Sequence, residues 1–199
     1  MERNRSHGTE RTRRAVLTTV AAGGVGALAG CLGGDREGPD PVALDDGQEC
    51  DNCSMRIEMH PGPVGQAFYG GDAPDSLPDD REDGVAWFCS SSCTYTYLLE
   101  NEERGHEPLI SYGTDYSTVD YEIRDDGDTT VISAHLDAEA FEDLHGLSFA
   151  ANSDVEGAMG GSLIGFSDDD DASAFVDEHG GDVIAHDDVT REVLSGIGM

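Results

Sequence analysis

The stretch Cys50-Asp51-Asn52-Cys53-Ser54-Met55 constrains this chain more than any other. Two thiols three residues apart, with a thioether two further on, put three sulfur atoms into one tight turn. Donors of this kind select soft cations such as Cu(I), and a Cys pair at this spacing also suits Zn(II). Just downstream, Met59-His60-Pro61-Gly62-Pro63 offers another thioether and an imidazole, and its two prolines stop any helix from continuing. That stop argues against a thioredoxin-like oxidoreductase, which starts a helix at its C-x-x-C. Cys50, Cys53, Met55 and His60 are therefore candidate metal ligands.

Charge narrows the partners. The chain sets 42 acidic residues against 11 basic ones, all of them Arg, for a formal charge of −31. Such a surface repels phosphates and excludes a nucleic-acid partner. High charge can also mark disorder, but apolar periodicity persists to about residue 195. We read a folded, halophilic acidic protein that stays soluble in concentrated salt, where repulsion between like charges is screened.

Residues 1–31 read as an address. Thr12-Arg13-Arg14-Ala15-Val16-Leu17 resembles a twin-arginine export signal, with Arg13 and Arg14 as its arginine pair. An apolar run to Ala29 follows, shorter than the ~20 residues a membrane span needs. It ends in Leu28-Ala29-Gly30-Cys31, which looks like a lipobox, so Cys31 is the expected lipidation site. The domain is then expected at the extracytoplasmic face of the cell membrane, held by its lipid. Residues 32–48, rich in Gly, Asp and Pro, read as a flexible acidic linker. A metal-binding domain is expected over 49–190, with halves of about 49–125 and 126–190, and a tail over 191–199.

Within that domain, strands are expected at 65–69 and 85–89, separated by a polar loop over 70–84. Ser90 or Ser91 can cap a helix on which Cys93, Tyr97 and Glu100 share a face. Alternation predicts strands over 117–124 and 129–134 around a hairpin turn, a short helix over 138–144 and a strand over 147–151. A strand over 162–166 leads to a helix capped by Ser167, opened by Asp168 to Asp171 and closed by Gly180-Gly181, with a last strand over 182–185. The run Phe88-Cys89-Ser90-helix is echoed by Ile164-Gly165-Phe166-Ser167-helix, which suggests two similar strand–helix halves.

With Cys31 lipidated, Cys50/Cys53 and Cys89/Cys93 remain. The i, i+4 spacing of the second pair puts both on one helical face. That layout suits a four-thiolate zinc site of the treble-clef type, or two disulfides in any of three pairings. His106, His135, His145, His179 and His186 have no sequence neighbours that mark them as ligands.

Taken in order, Cys50-x-x-Cys53-x-Met55, His60-Pro61-Gly62-Pro63-x-Gly65-Gln66 and Phe88-Cys89-Ser90 resemble the N-terminal half of the NosL family. Gly157-Ala158-Met159-Gly160, and Phe166-Ser167 through Ala172, Phe175 and His179-Gly180-Gly181, resemble its C-terminal half. These lipoproteins are accessory factors of nitrous oxide reductase, the copper enzyme of denitrification. The resemblance implies an α+β fold of two strand–helix subdomains, similar to the organomercurial lyase fold, with a Cu(I) site between them. Ser54 stands where the family usually has Gly, the loop over 70–84 is long, and Cys93 is an extra thiol.

On that resemblance Met159 joins Cys53 and Met55, since Cu(I) is content with two or three ligands. Thioethers bind it more weakly than thiolates and survive an oxidising compartment, which suits a carrier. The expectation is a non-enzymatic Cu(I) metallochaperone, exported and membrane-tethered, serving nitrous oxide reductase or its maturation complex. The alternative is a structural zinc knuckle on Cys50, Cys53, Cys89 and Cys93.

Overall fold

β1 (Gly65–Phe68) is buried on both faces, because it lies between two antiparallel neighbours and under a helix. β2 (Val85–Phe88) pairs with it in the register Gly65↔Phe88, and β3 (Ile110–Thr114) in the register Gly65↔Gly113. The coordinates are a computed structural model that describes residues 38–78, 81 and 84–197. The export signal and Cys31 lie outside the described residues. β6 (Phe141–Asp143) completes a four-stranded sheet of order β2-β1-β3-β6. A second sheet has β7 (Ser148–Ala151) between β10 (Ile164–Phe166) and β11 (Asp182–Ala185). The third has order β4-β5-β8-β9, from β4 (Ile123–Asp126), β5 (Thr129–Ile132), β8 (Val155–Gly157) and β9 (Gly160–Gly161). Few helices and three small sheets make an α+β fold.

Period-2 alternation divides the interior. Phe149 and Ala151 on β7 face the larger core with Phe68, Phe88 and Tyr95, whereas Ala150 between them faces a smaller one with Ile164, Phe166 and Phe175. The second sheet is thereby covered on both sides. α2 (Asp169–His179) covers the smaller core with Ala172 and Phe175.

α1 (Ser91–Glu102) begins at three consecutive serines, each with a separate task. Ser90 caps it, its Oγ accepting from the Cys93 N–H at 3.0 Å. Ser91 Oγ accepts from the Leu163 N–H at 2.9 Å, and Ser92 Oγ donates to the Gly161 carbonyl at 3.1 Å. The start of the helix is thus bonded to the segment that follows β8. α3 (Arg191–Gly196) returns to the far end of α1, where Arg191 forks onto Glu103 at 2.8 and 2.9 Å.

Several expectations are corrected. The strand over 117–124 is confined to β4. Upstream of it the Ser117 N–H bonds the Asp115 carboxylate and the Thr118 hydroxyl bonds the Asp115 carbonyl, a local turn that competes with a ladder. The helix over 138–144 is instead a 3-10 turn, then β6, then a second 3-10 turn at Leu144–Gly146. Pairing with β3, a strand the sequence pattern did not reveal, outweighs helical propensity there. Asp168, not Ser167, caps α2, its carboxylate accepting from the Asp170 N–H at 2.8 Å, while the Ser167 N–H is held by the buried Asp115 carboxylate at 2.9 Å. The linker expected to be flexible is held from residue 39 onward, where the Pro39 carbonyl accepts from the Tyr112 hydroxyl at 2.9 Å. Gln66, wholly buried, bonds both the N–H and the carbonyl of Val42, and Leu44 is fully buried in the larger core.

Candidate metal centre

The turn that carries the first two thiols closes on itself. The Cys50 N–H bonds the Met55 carbonyl at 2.8 Å and the Ser54 N–H bonds the Cys50 carbonyl at 2.7 Å, while Glu49 and Arg56 bridge across its base. Reversal within so few residues needs one in the left-handed region, and that residue is Ser54, at φ 63°.

Asp51 then fastens this turn to β2. Its N–H bonds the Trp87 carbonyl at 2.8 Å, and one carboxylate oxygen accepts from the Trp87 N–H at 2.7 Å. The other oxygen accepts from Arg81 at 2.7 Å, and the Arg81 guanidinium lies 3.6 Å over the Trp87 ring. Burial pushes the Asp51 carboxyl up from its ordinary range, against the pull of the Trp87 N–H and Arg81. Its ion pair therefore only partly offsets the desolvation, and its main service is to locate the turn. Two residues beyond Trp87 comes Cys89, so the staple sets Cys50 and Cys53 beside it. Neither Asp51 nor Arg81 was marked by the sequence.

Four thiols converge here. The sulfur atoms of Cys50, Cys53, Cys89 and Cys93 all lie within 4.8 Å of one another, with Cys53 to Cys89 at 3.4 Å and Cys89 donating to Cys93 at 3.8 Å. All four are free thiols, so none of the three disulfide pairings describes this structure. Cys50, Cys89 and Cys93 are buried and Cys53 is half-buried, which gives the cluster one side toward solvent.

Crowded thiols do not ionise alike. Contacts with the Cys50 and Cys89 thiols pull the Cys93 pKa down, against burial and with help from Ser90 and Asn52. For Cys89, contacts with Cys50 and Cys93, then burial, push it up. For Cys50 the Cys89 contact pulls down, but Cys93 and burial outweigh it and the thiol is raised. Of these three thiols Cys93, in the first turn of α1, is the one favoured to give up its proton, and Cys89 donates toward it.

The other candidates stand at the margin. Met55 is half-buried against the core that contains the thiols. Met159 sits in the turn between β8 and β9, 48 % exposed, while Ala158 before it packs on the same core. That hairpin is held close to α1 by the Ser92–Gly161 bond, and a side chain at Gly157 would collide with the Gly62 carbonyl and Pro63. His60, half-buried after the 3-10 turn Ile57–Met59, is not among the groups that converge with the four cysteines.

Comparison with known proteins speaks to the same residues. The family model NosL matches residues 41–194. The copper-binding lipoprotein NosL of Stutzerimonas stutzeri is 30 % identical over 171 residues, which are 84 % of this chain and 76 % of that protein.

The chain belongs to the NosL family.

The crystal structure of the copper chaperone NosL from Shewanella denitrificans superposes with a TM-score of 0.61 at 25 % identity, over 80 % of this chain and 99 % of that one. Both names describe proteins that bind or deliver a metal, and neither describes an enzyme. Two features that looked like departures from the NosL pattern acquire a physical reading. Ser54, where the resemblance expected Gly, does adopt a glycine-like φ. Cys93, the extra thiol, is inside the cluster, and its acidity is the one raised there.

Proposed function

We propose that this NosL protein is a copper carrier that takes Cu(I) at the thiol cluster and passes it to nitrous oxide reductase or its maturation complex. The observation that carries this reading is the convergence of four free thiols within 4.8 Å, open on the Cys53 side. The names of its relatives point the same way, since one is copper-binding and the other a copper chaperone. Soft sulfur donors favour Cu(I) over harder ions. We assign the ligands to Cys53, Cys50, Met55 and Met159, with Cys89 and Cys93 within the same cluster and His60 as a further candidate at its edge. Transfer proceeds by exchange: an acceptor thiolate or imidazole adds to an under-coordinated ion, and a neutral thioether leaves first. Lipidation at Cys31 and export through Arg13 and Arg14 would hold the carrier at the extracytoplasmic face of the membrane. Among the described residues no helix is long and apolar enough to cross a bilayer.

One observation favours a second reading, the structural zinc knuckle. Four thiolates around Zn(II) at ~2.3 Å would stand about 3.8 Å apart, close to the 3.4 and 3.8 Å spacings here. A structural zinc site contributes folding energy outright, so removing the metal unfolds the domain. The test follows. Protein stripped of metal under reducing conditions is followed by circular dichroism and thermal melting, then loaded with Cu(I) and mixed with an acceptor thiol peptide. A folded metal-free form that binds and releases Cu(I) is expected of the carrier. Collapse of the fold on stripping, restored by Zn(II), would overturn it.

A further inference from the structure

We propose a second metal site at His145, His186 and Asp187, for a divalent first-row transition cation of borderline softness such as Zn(II). It is separate from the copper reading and does not depend on it. Ligand atoms of the three residues lie within 4.8 Å of one another, and the two imidazole rings stand only 4.0 Å apart between centroids. Sequence alone gave no hint of this, because His145 and His186 are far apart in the chain and neither has a histidine neighbour. The fold brings them together on two 3-10 turns, Leu144–Gly146 before β7 and His186–Asp188 after β11. β7 and β11 pair with Ala185 opposite Ser148, so the two turns meet at one end of that sheet.

Each ring also has the kind of support that orients a metal-binding imidazole. His145 Nδ1 is 3.2 Å from the Asp143 carboxylate, which also accepts the His145 N–H at 3.1 Å. His186 Nδ1 is 2.8 Å from the Tyr95 hydroxyl. An imidazole held at one nitrogen by a carboxylate or hydroxyl coordinates through the other, with its tautomer fixed. Two charged rings at this separation would repel, whereas two neutral ones can share a cation. The three residues line a cleft of about 330 Å³ that also receives Ser148 and Asp169, with room for water to complete the coordination. Two nitrogens and a carboxylate suit Zn(II) or Cu(II), and not the Cu(I) for which sulfur is the natural donor. The site would join the end of β11 to Asp143 on β6 and to Tyr95 on α1, the helix that carries Cys93.

The experiment is a Zn(II) titration of the reduced protein in 0.5 M KCl, which suppresses diffuse binding to exposed acids, carried past the first equivalent that the thiol cluster can take and read by NMR of the histidine side chains. The ring signals of His145 and His186 should shift together and saturate, while those of His106 and His179 do not follow. His145 is exposed, so His145→Ala should fold normally; it should weaken this binding at least about tenfold. Asp187→Asn should weaken it by less. Ring signals of His145 and His186 that move no more than those of His106 and His179, or an unchanged affinity in His145→Ala, would overturn the site.

Discussion

The thiol cluster and the hairpin that carries Met159 are two sulfur-bearing regions with opposite physical character. Cys89 is fully buried, and its neighbours are fixed by a closed turn, an ionic staple and a capped helix. Met159 is 48 % exposed in a turn whose anchors all lie to either side of it. On the proposed reading, one region holds the soft ion and the other meets the acceptor. A carrier needs both, because an ion sunk among four thiols has nowhere to go and an ion on an exposed thioether does not stay.

The sharpest way to break the contrast is to remove a buried thiol. Cys50→Ser should lower Cu(I) affinity by at least about 100-fold, above the ~10–100-fold that loss of a supporting contact costs at a metal site. Competition against a Cu(I) chelator measures it. An affinity left within a few-fold would move the ion off the cluster and onto Cys53 and the thioethers.

Next in size is the staple. Asp51 and Arg81 are 8 % and 16 % exposed at the side chain, so Asp51→Ala leaves a nearly buried guanidinium and the Trp87 N–H without their acceptor. A loss of about 3 kcal/mol in urea unfolding is expected. Copper affinity should fall with it, because the turn bearing Cys50 and Cys53 is no longer held beside Cys89. A loss of stability with affinity intact would mean that the turn finds its place without Asp51.

Acidity of the thiols sharpens the comparison without any mutation. Cys50 and Cys89 are raised, so at neutral pH both hold protons that a metal must displace; Cys93 is lowered and gives its proton up more readily. Affinity should therefore rise with pH, about tenfold per unit for each proton released. Chelator competition at pH 6, 7 and 8 gives the slope. A flat profile would assign the holding to Cys93 and the neutral thioethers.

The exposed side of the contrast predicts less. Met159→Ala should change folding stability by no more than about 0.5 kcal/mol, as expected of an exposed side chain. Its Cu(I) affinity should drop about tenfold or less. The rate of hand-over to an acceptor thiol should change more visibly than the equilibrium, and a rate and affinity both equal to wild type would remove Met159 from the path.

What the sequence revealed and what it hid divide along the same line. The C-x-x-C turn, the capped helix with Cys93 and the β10–α2 unit were legible because each is a local pattern of spacing, cap and stop. β3 was missed since Ile110–Thr114 is buried at all five positions and shows no alternation. Asp51 looked like any residue in an acidic chain, and its partner lies 30 positions away. The convergence of the two cysteine pairs was open to a zinc or disulfide reading. Nothing in their spacing says that β2 delivers Cys89 to the very turn that Asp51 fastens.

The smallest effect tests whether that turn is as rigid as the holding role demands. Ser54 sits at φ 63°, a conformation that costs a side-chain-bearing residue ~1–2 kcal/mol and glycine almost nothing. Glycine also loses roughly 0.5–1 kcal/mol more chain entropy on folding. The two nearly cancel, so Ser54→Gly should stabilise the protein by about 0.5 kcal/mol and leave copper affinity within about twofold. Thermal melting resolves the sign. If the variant is instead less stable, the strain relieved at Ser54 is smaller than the entropy lost. The closed turn would then be one of several conformations rather than the fixed seat of two thiols, and the difference in rigidity between the cluster and the Met159 hairpin would shrink accordingly.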